Sequence, residues 1–395
     1  CLRNNNNKVG CNMNSYNKWS VVSLLFLACA SAQAANTIAD ARGNGMGNTG
    51  VTTADYLLAP FYNPALVAVY RNNDTFGVLF PAVGGAARDP DKSLKSIDDL
   101  QDSIKAFENS GTPNQSDIDK LNQYLDQLAD DKPLAASAGI GMAIAIPLDL
   151  VSLNIFARGH AEVIARSDIA ANTGSSGTDV ENRYKNSTVD LIAFGYSEFG
   201  LALAKIYNIR GQQFSFGITP KIQQLRTYKQ NVSVKEFDLA DYDKSETNDN
   251  AFNLDLGAVW LINDFRVGVA VKDLFAQELK TIDGLSSYDL DTQVTISGGY
   301  VTEFFTAAID LDATKQSRFQ DQKDDTQYLR FGLEGNAWGW AQLRAGYEID
   351  LEDTLDNAVT FGIGISPGDL VSFDLAGNYA GDNQFGISGN LAFTF

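Results

Sequence analysis

Along most of the chain the apolar positions recur every second residue. The end is the clearest case: in QFGISGNLAFTF (384–395), Phe385, Ile387, Gly389, Leu391, Phe393 and Phe395 fall on one face, and Gly386, Ser388, Asn390, Ala392 and Thr394 on the other. Period two is the strand period. A run of about ten residues with large apolar groups on one face and small or polar ones on the other is the pattern of a strand facing lipid. Strands of soluble sandwiches alternate too, but average only about five or six residues. The same alternation returns upstream, with Val371, Phe373 and Leu375, then Val359, Phe361 and Ile363, then Leu343, Ala345 and Tyr347 facing away from polar or small neighbours. In all the pattern predicts fourteen strands, at 75–86, 136–147, 150–166, 187–206, 211–230, 250–262, 264–272, 291–302, 304–317, 325–337, 339–350, 356–366, 369–380 and 383–395.

The connections add a second signal. Those after even-numbered segments are short (148–149, 207–210, 263, 303, 338, 366–368), whereas those after odd-numbered ones are often long (87–135, 167–186, 231–249, 273–290, 318–324). Short turns on one side and long loops on the other is the arrangement of an outer-membrane barrel. A soluble sandwich has no reason to show that parity. The first long loop, 87–135, changes period: Leu94, Ile97, Leu100, Ile104 and Phe107, then Ile118, Leu121, Leu125 and Leu128, follow helical spacing, with Gly111-Thr112-Pro113 between them. This predicts a helical hairpin on the long-loop, extracellular side. It serves either as a lid or partner-binding element or simply as a loop that buries its own apolar stripes.

The N-terminal 34 residues read differently. From Met13, Lys18 gives a positive region, Val21 to Ala30 a short apolar core, and Ala32-Gln33-Ala34 a cleavage site of small residues. That is a secretory signal peptide, with 1–12 an upstream extension and the mature chain starting near Ala35. Lipidation at Cys29 and an uncleaved anchor are the alternatives. The cysteines Cys1, Cys11 and Cys29 all fall in this part, so the mature protein is expected to be cysteine-free, without thiol or zinc–thiolate chemistry. With His160 as its single histidine, no multi-histidine metal site is expected, and no cofactor. The full chain carries a formal net charge of −19. The first 34 residues hold three basic and no acidic groups, so the mature charge is −22. Such an acidic chain is not built for nucleic acid.

Residues 43–50, GNGMGNTG, contain a literal G-x-G-x-x-G, but no strand precedes it in the mature chain and the compartment holds little dinucleotide, which argues against a nucleotide loop. The glycine-rich start, Ala54-Asp55 and Phe61-Tyr62-Asn63-Pro64-Ala65 before the first strand together resemble the hatch of FadL-type outer-membrane transporters for hydrophobic compounds. The fuller match, which includes VDLIAFGY at 189–196, resembles the exported family labelled conjugal transfer protein TraF, a relative of those barrels. The resemblance implies that residues 35–72 plug the lumen. Gly45, Gly47 and Gly50 would then supply a compact backbone with φ > 0, and Asn63, Pro64 and Ala65 a fixed turn. A merely flexible exported N-terminus is the plainer reading.

The expected fold is therefore all-β: a transmembrane antiparallel β-barrel of about fourteen strands (73–395), with an N-terminal plug and a helical extracellular loop. Its lumen carries two kinds of candidate. Arg158, His160, Glu162 and Arg166 alternate inward on one strand, and Arg330, Glu334, Arg344 and Glu348 extend the charged lining. His160 could serve a hydrolase, but no local serine motif accompanies it, so a place in a charged lumen network is the simpler role. On the next strand the inward positions Ile192, Phe194 and Tyr196 are apolar or aromatic while Val189, Leu191 and Ala193 face out. An apolar patch inside a barrel points to a hydrophobic ligand site, or else to packing against the plug. Two functions follow. One is a passive transporter for small hydrophobic molecules in the outer membrane of a Gram-negative bacterium. The other is an envelope structural or interaction protein tied to conjugative transfer, using loop 87–135. Neither is an enzyme.

Overall fold

The computed structural model describes residues 40–71, 73–110, 114–237, 245–319 and 324–395; the expected leader (1–34), residues 35–39 and the break at Gly111-Thr112-Pro113 lie outside them. The period-two segments become strands β1 Gly77–Arg88, β2 Leu134–Ile146, β3 Ser152–Asp168, β4 Thr188–Ile209, β5 Gln212–Ser233, β6 Glu246–Ile262 and β7 Phe265–Lys272. After a short hairpin, β8 Gln277–Lys280 and β9 Ser287–Leu290, come β10 Gln293–Val301, β11 Phe305–Asp312, β12 Tyr328–Ala337, β13 Ala341–Asp350, β14 Ala358–Ile365, β15 Val371–Gly381 and β16 Gln384–Thr394. Fourteen of these pair with their neighbours in sequence order, β7 pairing with β10, and β1 pairs antiparallel with β16 to close the barrel. Closure leaves no free edge, which is what allows strands to cross a bilayer with every backbone group paired.

Each expected segment is found, with some ends moved. β4 and β5 run 22 residues each, longer than expected, while β11 stops at Asp312 and β12 starts at Tyr328. The alternation holds its phase. In β14 the burial alternates residue by residue, with Val359, Phe361 and Ile363 exposed and Thr360 and Gly362 buried. Trp260, Phe265, Phe304, Trp338 and Trp340 are exposed around the short-turn end, the position of an interfacial aromatic girdle. Among the described residues no helix is long and apolar enough to cross a membrane.

Among the described residues five α-helices stand between and before the strands: α1 Ala41–Gly45, α2 Ala59–Tyr62, α3 Ser93–Asn109, α4 Gln115–Asp130 and α5 Gly177–Asn186. The two stripes expected in loop 87–135 are the buried faces of α3 and α4. α4 begins with a capping box, Asn114 and Asp117 each bonding the other's backbone N–H. α5 was not expected, although its own box, Ser176 with Asp179, is plain in the sequence. These helices pack on the outer face of the long strands: Leu100, Ile104, Leu121, Leu125 and Tyr184 share one buried cluster with Ala165, Val189 and Leu191. Val189 and Leu191 thus face out, but toward helices rather than solvent. Each such leucine contributes about 1.5–3 kcal/mol by leaving water.

Candidate functional site: the barrel interior

Residues 40–69 run against the inward faces of one strand after another. Asp40 caps α1, its carboxylate accepting from the N–H groups of Arg42 and Gly43 and from the Tyr62 hydroxyl. Burial pushes the Asp40 carboxyl up to about 6, against the pull of those hydrogen bonds. Ala41 N–H reaches Asn390 on β16, Gly47 N–H reaches Thr360 on β14, Gly50 N–H reaches Asp310 on β11, and Ser215 on β5 donates to Ala65 C=O. Arg42 binds both oxygens of Glu334, at 2.9 and 3.0 Å, and Arg344 shares the Oε2 oxygen with it while also donating to Asp374. Lys272 Nζ donates to Phe61 C=O at 2.7 Å.

The turn expected at Asn63-Pro64 takes the form of a capped 3₁₀ helix, Pro64–Ala68, with Asn63 Oδ1 accepting from Ala65 N–H. The glycines divide by cause. Gly47 alone of the three expected ones has positive φ, +62°; Gly45 and Gly50 do not, so the φ > 0 expectation fails for them. They are glycine for space. A Cβ on Gly45 would lie 2.9 Å from Gly362 Cα, and one on Gly50 would lie 2.3 Å from the Tyr62 ring. The strands make room in return: a Cβ on Gly346 would meet Gly47 N at 2.1 Å, and one on Gly257 would meet Asn63 Oδ1 at 1.9 Å. This glycine lining escaped sequence reasoning, which registered those positions only as small residues on the inward phase.

The six candidate lumen residues fall on two paired strands in register. His160 stands opposite Tyr196, and Glu162 opposite Phe194. Their partners were not all foreseen. Arg158 pairs with Glu198, and Glu162 with Arg318. Next to Glu198, Lys221 sits within 2.8 Å of both Asp255 and Asp273, while Gln223 bonds Glu198 and Asp273. Buried charges persist only when paired in this way. His160 departs from the network expected of it: neither ring nitrogen has a hydrogen-bond partner among the described residues, and its ring lies 5.6 Å from that of Tyr196. Arg330 joins Asp312 and Glu348.

Ile192, Phe194 and Tyr196 form an apolar cluster with Ile164, Leu225, Leu279, Tyr288, Leu290 and Phe319. The alternative expectation, that they pack on the N-terminal segment, does not hold. Their cover comes from β8–β9 and the loop after β11. Beside this cluster, at the long-loop end, opens a cavity of about 450 Å³ whose wall is largely charged, with Arg88, Glu162, Arg166, Arg318, Asp324 and Glu348, and is apolar at Ile164 and Ala358. Among the described residues no group of three or more His, Cys, Asp or Glu is placed to hold a metal ion.

The fold has solved counterparts. The toluene transporter TbuX of Ralstonia pickettii superposes with a TM-score of 0.50 at 11% identity, over 90% of this chain and 98% of that one. The toluene transporter TodX of Pseudomonas putida gives a TM-score of 0.45 at 11% identity, over 90% and 97%. A monoaromatic hydrocarbon channel, CymD, gives 0.47 at 9% identity, over 90% and 96%. At these identities the likeness to TbuX speaks for the barrel fold alone. No curated protein matches the sequence. A family model described as "F plasmid transfer operon, TraF, protein" matches residues 60–312, from α2 through the whole of β11, and on that match the chain belongs to this TraF family.

Proposed function

We propose that the protein is a passive outer-membrane channel for small hydrophobic molecules, exported by a signal peptide cleaved near Ala34 in a Gram-negative bacterium. Residues 35–72 act as its plug, and no catalytic step or cofactor is involved. One observation carries the reading: the inward face of β3–β4 holds an aromatic and aliphatic cluster, Ile164, Ile192, Phe194 and Tyr196, beside the cavity at the mouth. A pore for polar solutes would carry polar groups at Ile164, Ile192 and Phe194 too, not only on the charged cavity wall beside them. Arg158, His160 and Glu162 would set the polar edge of the ligand site. Toluene is the cargo named for TbuX, which lends the hydrophobic class support by analogy of fold.

The test is uptake of labelled toluene and of a labelled long-chain fatty acid by cells lacking their own transporter and expressing the chain from Met13. Surface folding is checked by heat-modifiable gel mobility. Uptake that falls at least tenfold in Phe194→Glu with the barrel still folded supports the reading. A folded barrel that moves neither compound rejects it. The family description and the helical unit on the outer face of β3–β4 favour a second role, docking in conjugative transfer. Deletion of 93–131 should then abolish transfer and spare uptake.

A further inference from the structure

Phe194 is covered by a ring of the same chain. The Tyr288 ring on β9 lies parallel to it, with centroids 3.5 Å apart and planes 3° apart. Phe319 meets Tyr288 edge-on at 5.0 Å. Aromatic pairs favour offset or edge-to-face arrangements over a face-to-face sandwich, because facing quadrupoles repel. The Phe194–Tyr288 stack is therefore a weak version of the contact that a freely sliding guest ring would make.

The hairpin backbone does not depend on that stack. Thr227 Oγ1 donates to Lys280 C=O, Lys229 Nζ reaches Ser286 Oγ at 2.7 Å, and Asp289 N–H donates to Arg318 C=O at 2.7 Å. These bonds hold β8–β9 without using the Tyr288 side chain. Ile164 belongs both to the apolar cluster that holds Phe194 and to the wall of the mouth cavity, so the cavity borders that cluster.

We propose that Tyr288 is the built-in occupant of a flat-ring site on Phe194, and that an aromatic compound binds there by displacing it. The proposal rests on the hydrophobic-channel reading and narrows its substrate class: unsaturated rings are preferred over saturated ones of equal size, which have no π face to replace the stack.

The experiment measures naphthalene binding by fluorescence to the folded full chain in detergent, with decalin as the saturated competitor. Tyr288→Ala is expected to bind naphthalene about three- to tenfold more tightly than the parent, the worth of one aromatic pair. Tyr288→Phe should match the parent, and Phe194→Ala should lose the binding in either background. If Tyr288→Ala does not fold, Tyr288→Leu keeps the bulk without the ring face and should also bind more tightly. Unchanged or weaker binding in folded Tyr288→Ala or Tyr288→Leu overturns the proposal, as does decalin competing as well as naphthalene. If that happens while toluene uptake by cells persists, the channel reading survives without the ring site; loss of both binding and uptake removes the channel reading too.

Discussion

Glycine on the inward phase separates what can touch the N-terminal segment from what cannot. Gly346 sits where a Cβ would strike Gly47 N, whereas Gly335 on the neighbouring strand has nothing within 4 Å of an added Cβ. Gly346→Val is expected to leave the barrel folded but unseat the segment, since overpacking costs about 1–3 kcal/mol even where side chains can yield and here the obstacle is backbone. Single-channel current in planar bilayers should rise for Gly346→Val and stay at the parent level for Gly335→Val; equal currents would mean that the segment does not close the pore. Asp40 adds a pH term. Its folded value, about 6, lies above the free value of 3.8, so the buried charged form costs stability above pH 6. That cost fades as pH falls from about 6 toward 4. The same current should therefore be lower at about pH 5 than at about pH 7.5, and Asp40→Asn should flatten the difference. Asn63-Pro64 could be read from the sequence because a cap and its helix are local. The contact of Gly47 with Gly346 could not, because positions 299 residues apart leave no joint mark in one sequence.

Elements were legible in proportion to their length. The barrel strands, eight to 22 residues long, show their period unmistakably, and even the charged inward rows such as Arg344 and Glu348 fell in the right phase. The β8–β9 hairpin has only four residues per strand, too few to display alternation, and its one local sign is Asp283-Gly284 at the turn. It is nevertheless the element that covers Phe194, so the part of the candidate site that sequence reasoning missed is the part with the weakest periodic signal. The helices show the opposite case. The stripes of α3 and α4 were readable, but not the surface they cover, and Val189 and Leu191 were assigned outward without their helical partners. Truncating the fully buried Leu121 should cost about 2–5 kcal/mol locally. Leu121→Ala is expected to make Lys105 and Lys120 sensitive to trypsin on intact cells while gel mobility still reports a folded barrel. Loss of the folded band would instead show that α3–α5 are required for the barrel itself.

At the scale of the molecule, chemistry and topology give the same orientation. Both described chain ends of the barrel, at β1 and β16, lie with the short turns, so the N-terminal segment enters from that side, and α3–α5 stand at the other. The aromatic girdle at Trp338 and Trp340 marks the short-turn interface with lipid. The sidedness can be measured directly, because all three cysteines precede residue 35 and a chain starting there offers no background thiol. Asp119→Cys on α4 is expected to react with a membrane-impermeant maleimide on intact cells. Glu303→Cys, in the turn between β10 and β11, should react only after the outer membrane is permeabilised. Both positions are polar and lie outside the strands, so neither substitution disturbs the core. The reverse labelling would put the short turns outside. The N-terminal segment would then lie toward the extracellular face and the cavity beside Phe194 would open to the periplasm, so the proposed channel would be arranged for release rather than uptake.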